Sequence, residues 1–475
     1  MIDLSNIEKY RENNRIEAKK ALGGLPQSIW ETYSSFANTL GGILLLGVEE
    51  QKDKSLHPIR LPDPERLVAE FWRIVNDPAR VSVNILTDRN VQVQRQGESC
   101  IIAITVPRAN RRDLPVYLDG NLRNSYRRNG EGDYRCSPEE IAAMLRDAEV
   151  SSQDRRVLEG LGTDALDGDS IGRYREQLGK TKPGHLWNEL KDEDFLLQAG
   201  ALGMGADAAL HPTAAGLLMF GKEAEIVREY PHYSLRFDTE TEEERLCSSS
   251  EDWSGNLYDF YLRVCGAFSG YALPDGSVAS SDSAVYSALC EALANCLVNG
   301  DYHGKRGTVI LLQENCVTMS NPGTFRVRLS EARVGGVSDP RHETLMSLFH
   351  LIGVGARTGS GLPGIFAVWR KRGWADPVIT ESFAPEGITV TLPFGKEETK
   401  IPQTSARPLN RGINALHRRA AIEYLTANVT ASRAGLAEAL GISHAAAGRI
   451  LTGLEQEGIA VSDGAARSRV YRLKA

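Results

Sequence analysis

The sequence has no long apolar run and no excess of positive charge. No apolar stretch approaches the roughly 18 residues that a membrane-spanning helix needs, so we expect no membrane anchor. The opening MIDLSNIEKYRENN lacks the basic start and apolar stretch of a signal peptide, which predicts a cytoplasmic protein. Because the net charge is −7, any nucleic-acid role has to depend on local basic patches.

Several common signatures are also missing. The seven cysteines are scattered with no C-x-x-C pair, which indicates buried thiols and excludes a disulfide framework or a zinc site. No internal repeat is present. The run Gly179-Lys180-Thr181 ends like a phosphate-binding Walker A motif, but the position that requires the first glycine is Tyr174. We therefore assign this run no nucleotide role.

The length and composition predict a globular protein with more than one domain. A chain of 475 residues is too long for one core, and 41% hydrophobic with 25% charged residues is ordinary for a globular protein. We predict an α/β multidomain fold. Its parts are an α/β domain over 1–150, a connecting α/β region over 151–280, a second α/β domain over 281–397, a linker over 398–411 and a helical unit over 412–475.

Local patterns place the elements of the first domain. Apolar residues at helical spacing predict a helix over Pro26–Thr39, and Gly41 with Gly42 then ends it. The apolar run Ile43–Val48 predicts a buried strand. The remaining predictions are helices over Asp63–Asn76 and Pro138–Arg146, the second capped by Ser137, and strands over Val81–Leu86 and Cys100–Val106.

Acidic residues accompany these elements in a recognisable order. The segment E-N-N-R-I-E-A-K carries Glu12, Glu17 and Lys19, and S-S-F-A-N-T-L-G-G-I-L-L-L-G-V-E-E runs from Ser34 to Glu50. Together with N-S-Y-R-R-N-G-E-G-D-Y-R-C-S-P-E-E-I further on, this order resembles the Schlafen AlbA-type domain. The resemblance covers about 140 residues, and two substitutions depart from the family pattern: Ala18 for phenylalanine and Glu49-Glu50 for an aspartate pair.

The resemblance implies a metal-dependent nuclease site. Glu12, Glu17 and Glu50 would bind Mg²⁺ or Mn²⁺, with Lys19 beside them as a further catalytic residue. Hard cations prefer carboxylate oxygens, and a bound ion can activate water against a phosphodiester. The alternatives are solvated glutamates, or a domain that binds nucleic acid without cutting it.

A dense set of arginines supplies the opposite charge. Arginine pairs bidentately with phosphate, and the interleaved tyrosines Tyr117, Tyr126 and Tyr134 can stack on bases. The alternative is a solvated basic face. The predicted nucleic-acid contacts are Arg111, Arg112, Arg123, Arg127 and Arg128, within a cluster that also holds Arg108 and Arg135.

A second resemblance concerns the middle of the chain. The segment A-L-C-E-A-L-A-N-C places Glu291 and Asn295 on one helix face, and G-S-G-L-P-G-I follows later. These segments resemble a GHKL-like ATP-binding domain. The resemblance implies ATP binding at Glu291, Asn295, Gly359 and Gly361, although Asn321 stands where the family carries the aspartate that recognises adenine. A scaffold without nucleotide is the alternative.

The last 60 residues predict a winged helix-turn-helix. Helices over Ala415–Ala427, Ser432–Leu440 and Ile442–Gly458 precede a small β-hairpin. Such a module presents its third helix to a DNA major groove, here with Ser443, His444 and Arg449. A protein-docking role is the alternative.

Two functions therefore compete on sequence alone. One is a DNA-binding regulator whose middle domain senses a nucleotide; the other is a metal-dependent nuclease that cuts tRNA or another structured RNA in stress or phage defence. Either role predicts nucleic acid as partner. We also expect a homodimer or higher homo-oligomer, since one small domain offers a narrow phosphate-binding surface.

Overall fold

The computed structural model describes most of the chain. The described residues are 3–240, 245–247, 253–273, 275–355, 361–383, 386–396, 421, 424–425, 430–440, 447, 450–452, 454–455, 460–463 and 470–473. The chain divides into two compact units, residues 1–397 and 398–475. The predicted divisions at residues 150 and 280 lie inside the first unit. Across the described residues, no helix has both the length and the apolar character to cross a membrane.

The N-terminal part of the first unit mixes short strands with three helices. Its elements are β1 (Ile16–Lys19), α1 (Ser28–Ala37), β2 (Gly42–Leu46), β3 (Val48–Glu50), β4 (Leu56–Pro58), α2 (Pro64–Val75), β5 (Val91–Gln96), β6 (Ser99–Val106), β7 (Tyr117–Leu118), β8 (Asn121–Asn129), β9 (Gly132–Arg135) and α3 (Pro138–Ala148).

These strands form three small sheets. The largest has the order β1-β2-β6-β5, with β1 parallel to β2 and the other neighbours antiparallel. Strands β3 and β4 pair antiparallel, and β7, β8 and β9 form a three-stranded antiparallel sheet.

The apolar run predicted as a buried strand lies at the centre of the largest sheet. Leu44 and Leu46 pack into the core that also contains α1 and α2, whereas Leu45 packs into the opposite core with Ile16 and Ile101. All three leucines are at most 1% exposed. Successive strand side chains point to opposite faces, so a strand covered on both faces needs a continuous apolar run.

Gly41 and Gly42 make the tight turn from α1 into β2. Gly41 has φ 72°, and a Cβ there would lie 2.8 Å from the carbonyl oxygen of Val106. A Cβ on Gly42 would lie 2.6 Å from the Phe36 ring. Only glycine fits both positions, which explains the G-G pair of the sequence pattern.

One predicted strand is wrong. In the segment Val81–Leu86 only Val81 pairs, through an isolated bridge to Leu118. The backbone N–H of Ile85 donates instead to the Tyr33 hydroxyl at 3.0 Å. The Tyr33 hydroxyl thus accepts from a backbone N–H that would otherwise donate to a neighbouring strand. The segment is therefore an irregular connection.

The predicted helix after the arginine segment is confirmed as α3. The Ser137 side chain accepts from the backbone N–H of Glu140 at 3.2 Å, and the Glu140 carboxylate accepts from the backbone N–H of Ser137 at 2.8 Å. This reciprocal capping box satisfies two N–H groups that the helix start leaves free.

The rest of the first unit is larger and more helical. Its elements are α4 (Gly168–Thr181), α5 (Asp192–Gln198), β10 (Leu202–Met204), β11 (Leu210–Pro212), α6 (Ala214–Phe220), α7 (Glu223–Glu229), β12 (Leu235–Thr239), β13 (Arg245–Cys247), α8 (Leu257–Gly270), α9 (Ser283–Val298), β14 (Thr308–Gln313), β15 (Cys316–Asn321), α10 (Leu329–Val334), α11 (Glu343–Leu351), α12 (Gly361–Arg372), β16 (Val378–Phe383) and β17 (Glu386–Pro393).

A six-stranded sheet and the long helix α9 organise this region. The strand order is β13-β12-β14-β15-β17-β16, and only β12 and β14 run parallel. Helix α9, predicted over 285–298, packs against α8, α11, α12 and β15. Buried residues occur around most of the circumference of α9, so this helix lies inside the core. Its polar residues Glu291 and Asn295 line a cavity.

The second unit has a small core of its own. Its described elements are β18 (Ala431–Ser432), α13 (Arg433–Leu440), β19 (Ala460–Asp463) and β20 (Val470–Leu473), and the strands form an antiparallel sheet in the order β18-β20-β19. Leu436, Leu451 and Tyr471 are buried in this core. Ser443, His444 and Arg449 lie outside the described residues, as do most of the predicted first and third helices.

Candidate functional site

Strand β1 places Glu17 in the interior of the N-terminal part. Its side chain is only 9% exposed. One carboxylate oxygen accepts from Arg128 Nη2 at 2.7 Å, and the other lies 2.6 Å from Lys19 Nζ. Both oxygens of the predicted metal ligand are therefore occupied by positively charged side chains.

Glu12 and Glu50 lie in the same electrostatic neighbourhood. Burial raises the pKa of Glu12, the hydrogen bond from the Ala18 N–H at 2.8 Å lowers it, and the negative charges of Glu17 and Glu50 raise it further. Glu50 Oε1 lies 3.3 Å from Lys54 Nζ. The fold thus brings the three predicted carboxylates near one another, as the resemblance implies.

Cationic side chains lie beside two of these carboxylates, Glu17 and Glu50. In the part of the chain that the structure describes, no group of three or more His, Cys, Asp or Glu side chains is placed to hold a metal. The reason is local, because Arg128 and Lys19 take the oxygens of Glu17 that an ion would need. The metal-ligand roles of Glu12, Glu17 and Glu50 and the catalytic role of Lys19 stay predictions.

Arg128 is the centre of a buried ion-pair network. Its side chain is only 2% exposed, and it pairs with Glu17 and, at 3.0 Å, with Asp133. The guanidinium also lies over the Phe36 ring, 5.2 Å from its centroid. Asp133 in turn accepts from the Thr32 hydroxyl at 2.6 Å. This network joins β1, β8, β9 and α1. The Arg128 side chain therefore stabilises the packing of these four elements.

The serines and asparagine of the S-S-F-A-N-T segment have a similar structural part. The Asn38 amide donates to the carbonyl oxygens of Val116 and Tyr126, both at 2.9 Å, and accepts from the Val116 N–H at 2.8 Å. The Ser34 hydroxyl donates to the Val116 carbonyl at 2.7 Å and accepts from the Tyr126 N–H at 3.0 Å. These bonds hold the start of β7 and the middle of β8 against α1.

Two further arginines predicted to contact nucleic acid are used inside the protein. Arg127 pairs with Glu140 and lies 3.7 Å from Glu386. Arg111 pairs with Asp339 and donates to the carbonyl oxygens of residues 147 and 149. Arg111, Arg127 and Arg128 are thus each paired with carboxylates of the protein, and their predicted contacts with nucleic acid stay predictions.

Three other cations of the cluster are exposed, whereas Arg108 is paired with Glu381. Arg123 on β8 and Arg135 on β9 both reach solvent, and Tyr134 on β9 is 57% exposed. The Arg135 guanidinium stacks over the Tyr126 ring at 5.8 Å from its centroid, which fixes its direction. We call the exposed side chains of the β8–β9 hairpin, Arg123, Tyr134 and Arg135, the hairpin surface. Arg112 is also exposed, but it lines a separate cleft.

The predicted nucleotide residues surround a cavity of 170 Å³ next to α9. Glu291, Asn295 and Gly361 line it together with Asn321. The Asn295 amide donates to Glu291 Oε1 at 3.3 Å. A Cβ on Gly361 would lie 2.4 Å from that same oxygen, so an alanine there would displace the Glu291 carboxylate. Gly359 lies outside the described residues.

One wall of this cavity is apolar and the other opens toward arginines. Strands β16 and β17 contribute Ile379, Ile388 and Val390 to the apolar wall. Arg326 lines both this cavity and an adjoining cleft of 680 Å³. The other arginines of the cleft are Arg108, Arg111, Arg112 and Arg328. A planar ring with a charged tail would find both surfaces here.

The comparisons identify part of the chain. Residues 12–137 match the family model "Schlafen, AlbA_2". We call residues 12–137 the AlbA_2 domain, after the family model that they match. Residues 142–236 match a model described as a domain of unknown function. The AlbA_2 match confirms the resemblance of the N-terminal part, and the GHKL-like and winged-helix resemblances stay predictions.

Two solved structures are similar at low TM-score. The DIP2311 protein from Corynebacterium diphtheriae is 16% identical, with 97% of this chain and 95% of that chain covered and a TM-score of 0.40. The N-terminal domain of a putative ATP-dependent DNA helicase RecG-related protein from Nitrosomonas europaea is 29% identical, with 28% and 90% covered and a TM-score of 0.22. These TM-scores are too low to establish a shared fold. Comparison with curated proteins gives no match.

The AlbA_2 domain also contains important residues that the sequence did not single out. Asp133 links Arg128 to helix α1, and Glu381 binds Arg108 from outside the domain at 2.7 Å. No sequence signal predicts the second pair, since its partners are 273 residues apart. Asp133 lies five residues after Arg128 in the sequence. A carboxylate so close to an arginine was the sequence signal for this ion pair.

Proposed function

We propose that this chain is a nucleic-acid-binding protein of the regulator type, which contacts nucleic acid through its AlbA_2 domain. The observation that carries the proposal is that the β8–β9 hairpin exposes two arginines and a tyrosine, the side chains named above as the hairpin surface. Arginine supplies phosphate contacts and tyrosine a face for base stacking. The net charge of −7 makes such a local surface the route by which the chain attracts a polyanion.

The same proposal holds that the AlbA_2 domain binds without metal-dependent cutting. Cleavage through the family's carboxylates would need an ion at Glu17, and Arg128 with Lys19 already neutralises that side chain. The three carboxylates then serve as structural anions rather than metal ligands.

A double variant tests the hairpin surface. Replacing Arg123 and Arg135 with alanine is expected to weaken binding to duplex DNA or tRNA and to lower the salt slope of log K by about two units. Fluorescence anisotropy at several salt concentrations measures both quantities. Arg228→Ala, an exposed arginine on α7, is the control. An unchanged salt slope in the double variant would show that nucleic acid is bound elsewhere.

The proposal for the middle region is adenine-nucleotide binding in the 170 Å³ cavity. Asn321 stands where GHKL-like domains carry an aspartate, yet its environment leaves an acceptor available. The Asn321 amide nitrogen donates to the carbonyl oxygens of Pro322 at 3.1 Å and Asn299 at 3.4 Å. Its Oδ1 is then the atom left to accept a hydrogen bond from an adenine amino group.

Glu291 and Asn295 are placed to take the charged end of such a nucleotide. Side-chain oxygens on one face of α9 suit Mg²⁺ and its coordinated water, and Gly361 and Leu362 at the beginning of α12 line the same cavity. In this proposal the nucleotide acts as the signal to which the regulator responds.

We further propose that the protein works as a homodimer. The hairpin surface of one domain is narrow, and a two-fold axis would double the number of phosphate contacts. Multi-angle light scattering at micromolar concentration is expected to give twice the mass of 52.0 kDa, with and without a short DNA duplex. A strictly monomeric mass in both conditions would contradict this assembly.

A further inference from the structure

A second cavity, of 480 Å³, lies apart from the sites described above. Its walls come from α4, α5, β10 and α11 and from the segments between them. Most of its lining falls within residues 142–236, the part that matches a domain of unknown function. Its volume is within the roughly 300–1,000 Å³ typical of small-molecule sites.

The inner surface of this cavity is mainly apolar. Val157, Leu202, Leu348 and Leu351 line it, and the Trp187 ring forms a flat side. Leu202 and Leu348 are almost fully buried, at 2% and 1% exposure, so these walls are set by the core. A preformed apolar surface with a flat aromatic side suits a planar or branched hydrocarbon body.

The polar lining has one sign of charge. Arg155, Lys182 and His350 line the cavity, and no aspartate or glutamate does. Arg155 is paired with Glu343 at 3.2 Å. Lys182 Nζ contacts the His350 carbonyl oxygen at 3.4 Å, and within the described residues it has no carboxylate partner. Lys182 is thus a cation beside an apolar cavity in a chain that is acidic overall.

We propose that this cavity binds a small organic anion with an apolar body, whose carboxylate or sulfonate pairs with Lys182. The body lies against Trp187 and the leucines, and the charged group remains near the opening where Lys182 is half-buried. A charge-assisted hydrogen bond to an ammonium gives the site its preference for anions over neutral molecules of the same shape.

Helix α11 gives the ligand a connection to the rest of the molecule. Thr344, Ser347, Leu348 and Leu351 of this helix line the anion cavity, whereas Met346 lines the 170 Å³ cavity beside α9. A ligand in the anion cavity therefore contacts the helix that forms part of the other wall. The proposed anion site stands independently of nucleotide binding, since none of its lining residues is shared with that cavity.

Two fluorescent probes test the site on the full chain. 8-Anilinonaphthalene-1-sulfonate carries an apolar body with a sulfonate, and N-phenyl-1-naphthylamine is the same body without charge. We expect the sulfonate to bind wild type more tightly than the amine. Lys182→Met is expected to weaken the sulfonate about tenfold and to leave the amine unchanged.

Two further variants control the experiment. Lys180→Met removes an exposed ammonium on α4 that pairs with Glu176 and does not line the cavity, and it should change neither affinity. Ala199→Phe fills the cavity and should abolish binding of both probes while the circular dichroism spectrum stays that of wild type. Sulfonate binding that survives both Lys182→Met and Ala199→Phe would overturn the proposal. Equal affinity of wild type for the two probes would overturn the anion assignment and indicate a purely apolar groove.

Discussion

Replacing Glu17 with glutamine is expected to lower the free energy of unfolding of the first unit by about 3 kcal/mol, the lower end of the cost of breaking a buried ion pair. The carboxylate holds Arg128 and Lys19, and Arg128 is only 2% exposed at its side chain. Glutamine keeps the shape and one acceptor oxygen but leaves a buried guanidinium without half of its compensating charge.

Replacing Glu12 with glutamine is expected to leave the free energy of unfolding unchanged or to raise it. Burial raises the pKa of Glu12, and the charges of Glu17 and Glu50 raise it further. A carboxyl whose folded-state pKa is raised costs stability while it is ionised, and this cost disappears as the pH falls through the folded-state pKa. Glu12→Gln removes the cost at neutral pH and keeps an acceptor for the Ala18 N–H, so stability is expected to stay equal or rise.

Urea unfolding of the three proteins at pH 7 measures this difference. If the carboxylates were equivalent metal ligands, both glutamine variants would lose cleavage alike and neither would lose much stability. A stability of Glu17→Gln equal to that of wild type would contradict the structural role assigned to this residue.

Gly361→Ala is expected to weaken ATP binding by about tenfold or more, since overpacking a tight site typically costs 1–3 kcal/mol. The added Cβ would lie 2.4 Å from Glu291 Oε1 and would displace the carboxylate that faces the bound nucleotide. Gly364→Ala is the matched control, because it makes the same change on the same helix with nothing within 4 Å of the new Cβ.

Isothermal titration with ATP and Mg²⁺ measures this effect, and Asn295→Ala provides a second variant that should abolish binding. A flat titration for wild type would leave the cavity without a nucleotide role. Equal binding by Gly361→Ala and Gly364→Ala would show that the nucleotide lies away from Glu291.

The elements of the AlbA_2 domain that local patterns specify were predictable from the sequence. The run Ile43–Val48 and the capped helix after Ser137 depend on neighbouring residues only, and both were predicted correctly. The segment Val81–Leu86 was not, since the apolar pattern of a strand does not reveal that Tyr33 accepts one of its backbone N–H groups.

The candidate site was predicted in part for a similar reason. Sequence spacing placed Glu291 and Asn295 on one helix face, and the resemblance added Gly361; in the structure all three line one cavity. The fate of each arginine depends on partners that folding brings from far along the chain. Arg128 meets Glu17 across 111 residues and Arg111 meets Asp339 across 228, so exposed and buried arginines look alike in the sequence.

The central claim is that the AlbA_2 domain binds nucleic acid and does not cut it through its carboxylates. The most direct measurement incubates the pure chain with labelled tRNA and duplex DNA, with and without Mn²⁺, and follows retention and fragment length on gels. The account predicts salt-sensitive retention that the Arg123→Ala, Arg135→Ala variant weakens, with intact nucleic acid in every lane. Fragments that require Mn²⁺ and disappear in a folded Glu17→Gln variant would contradict it.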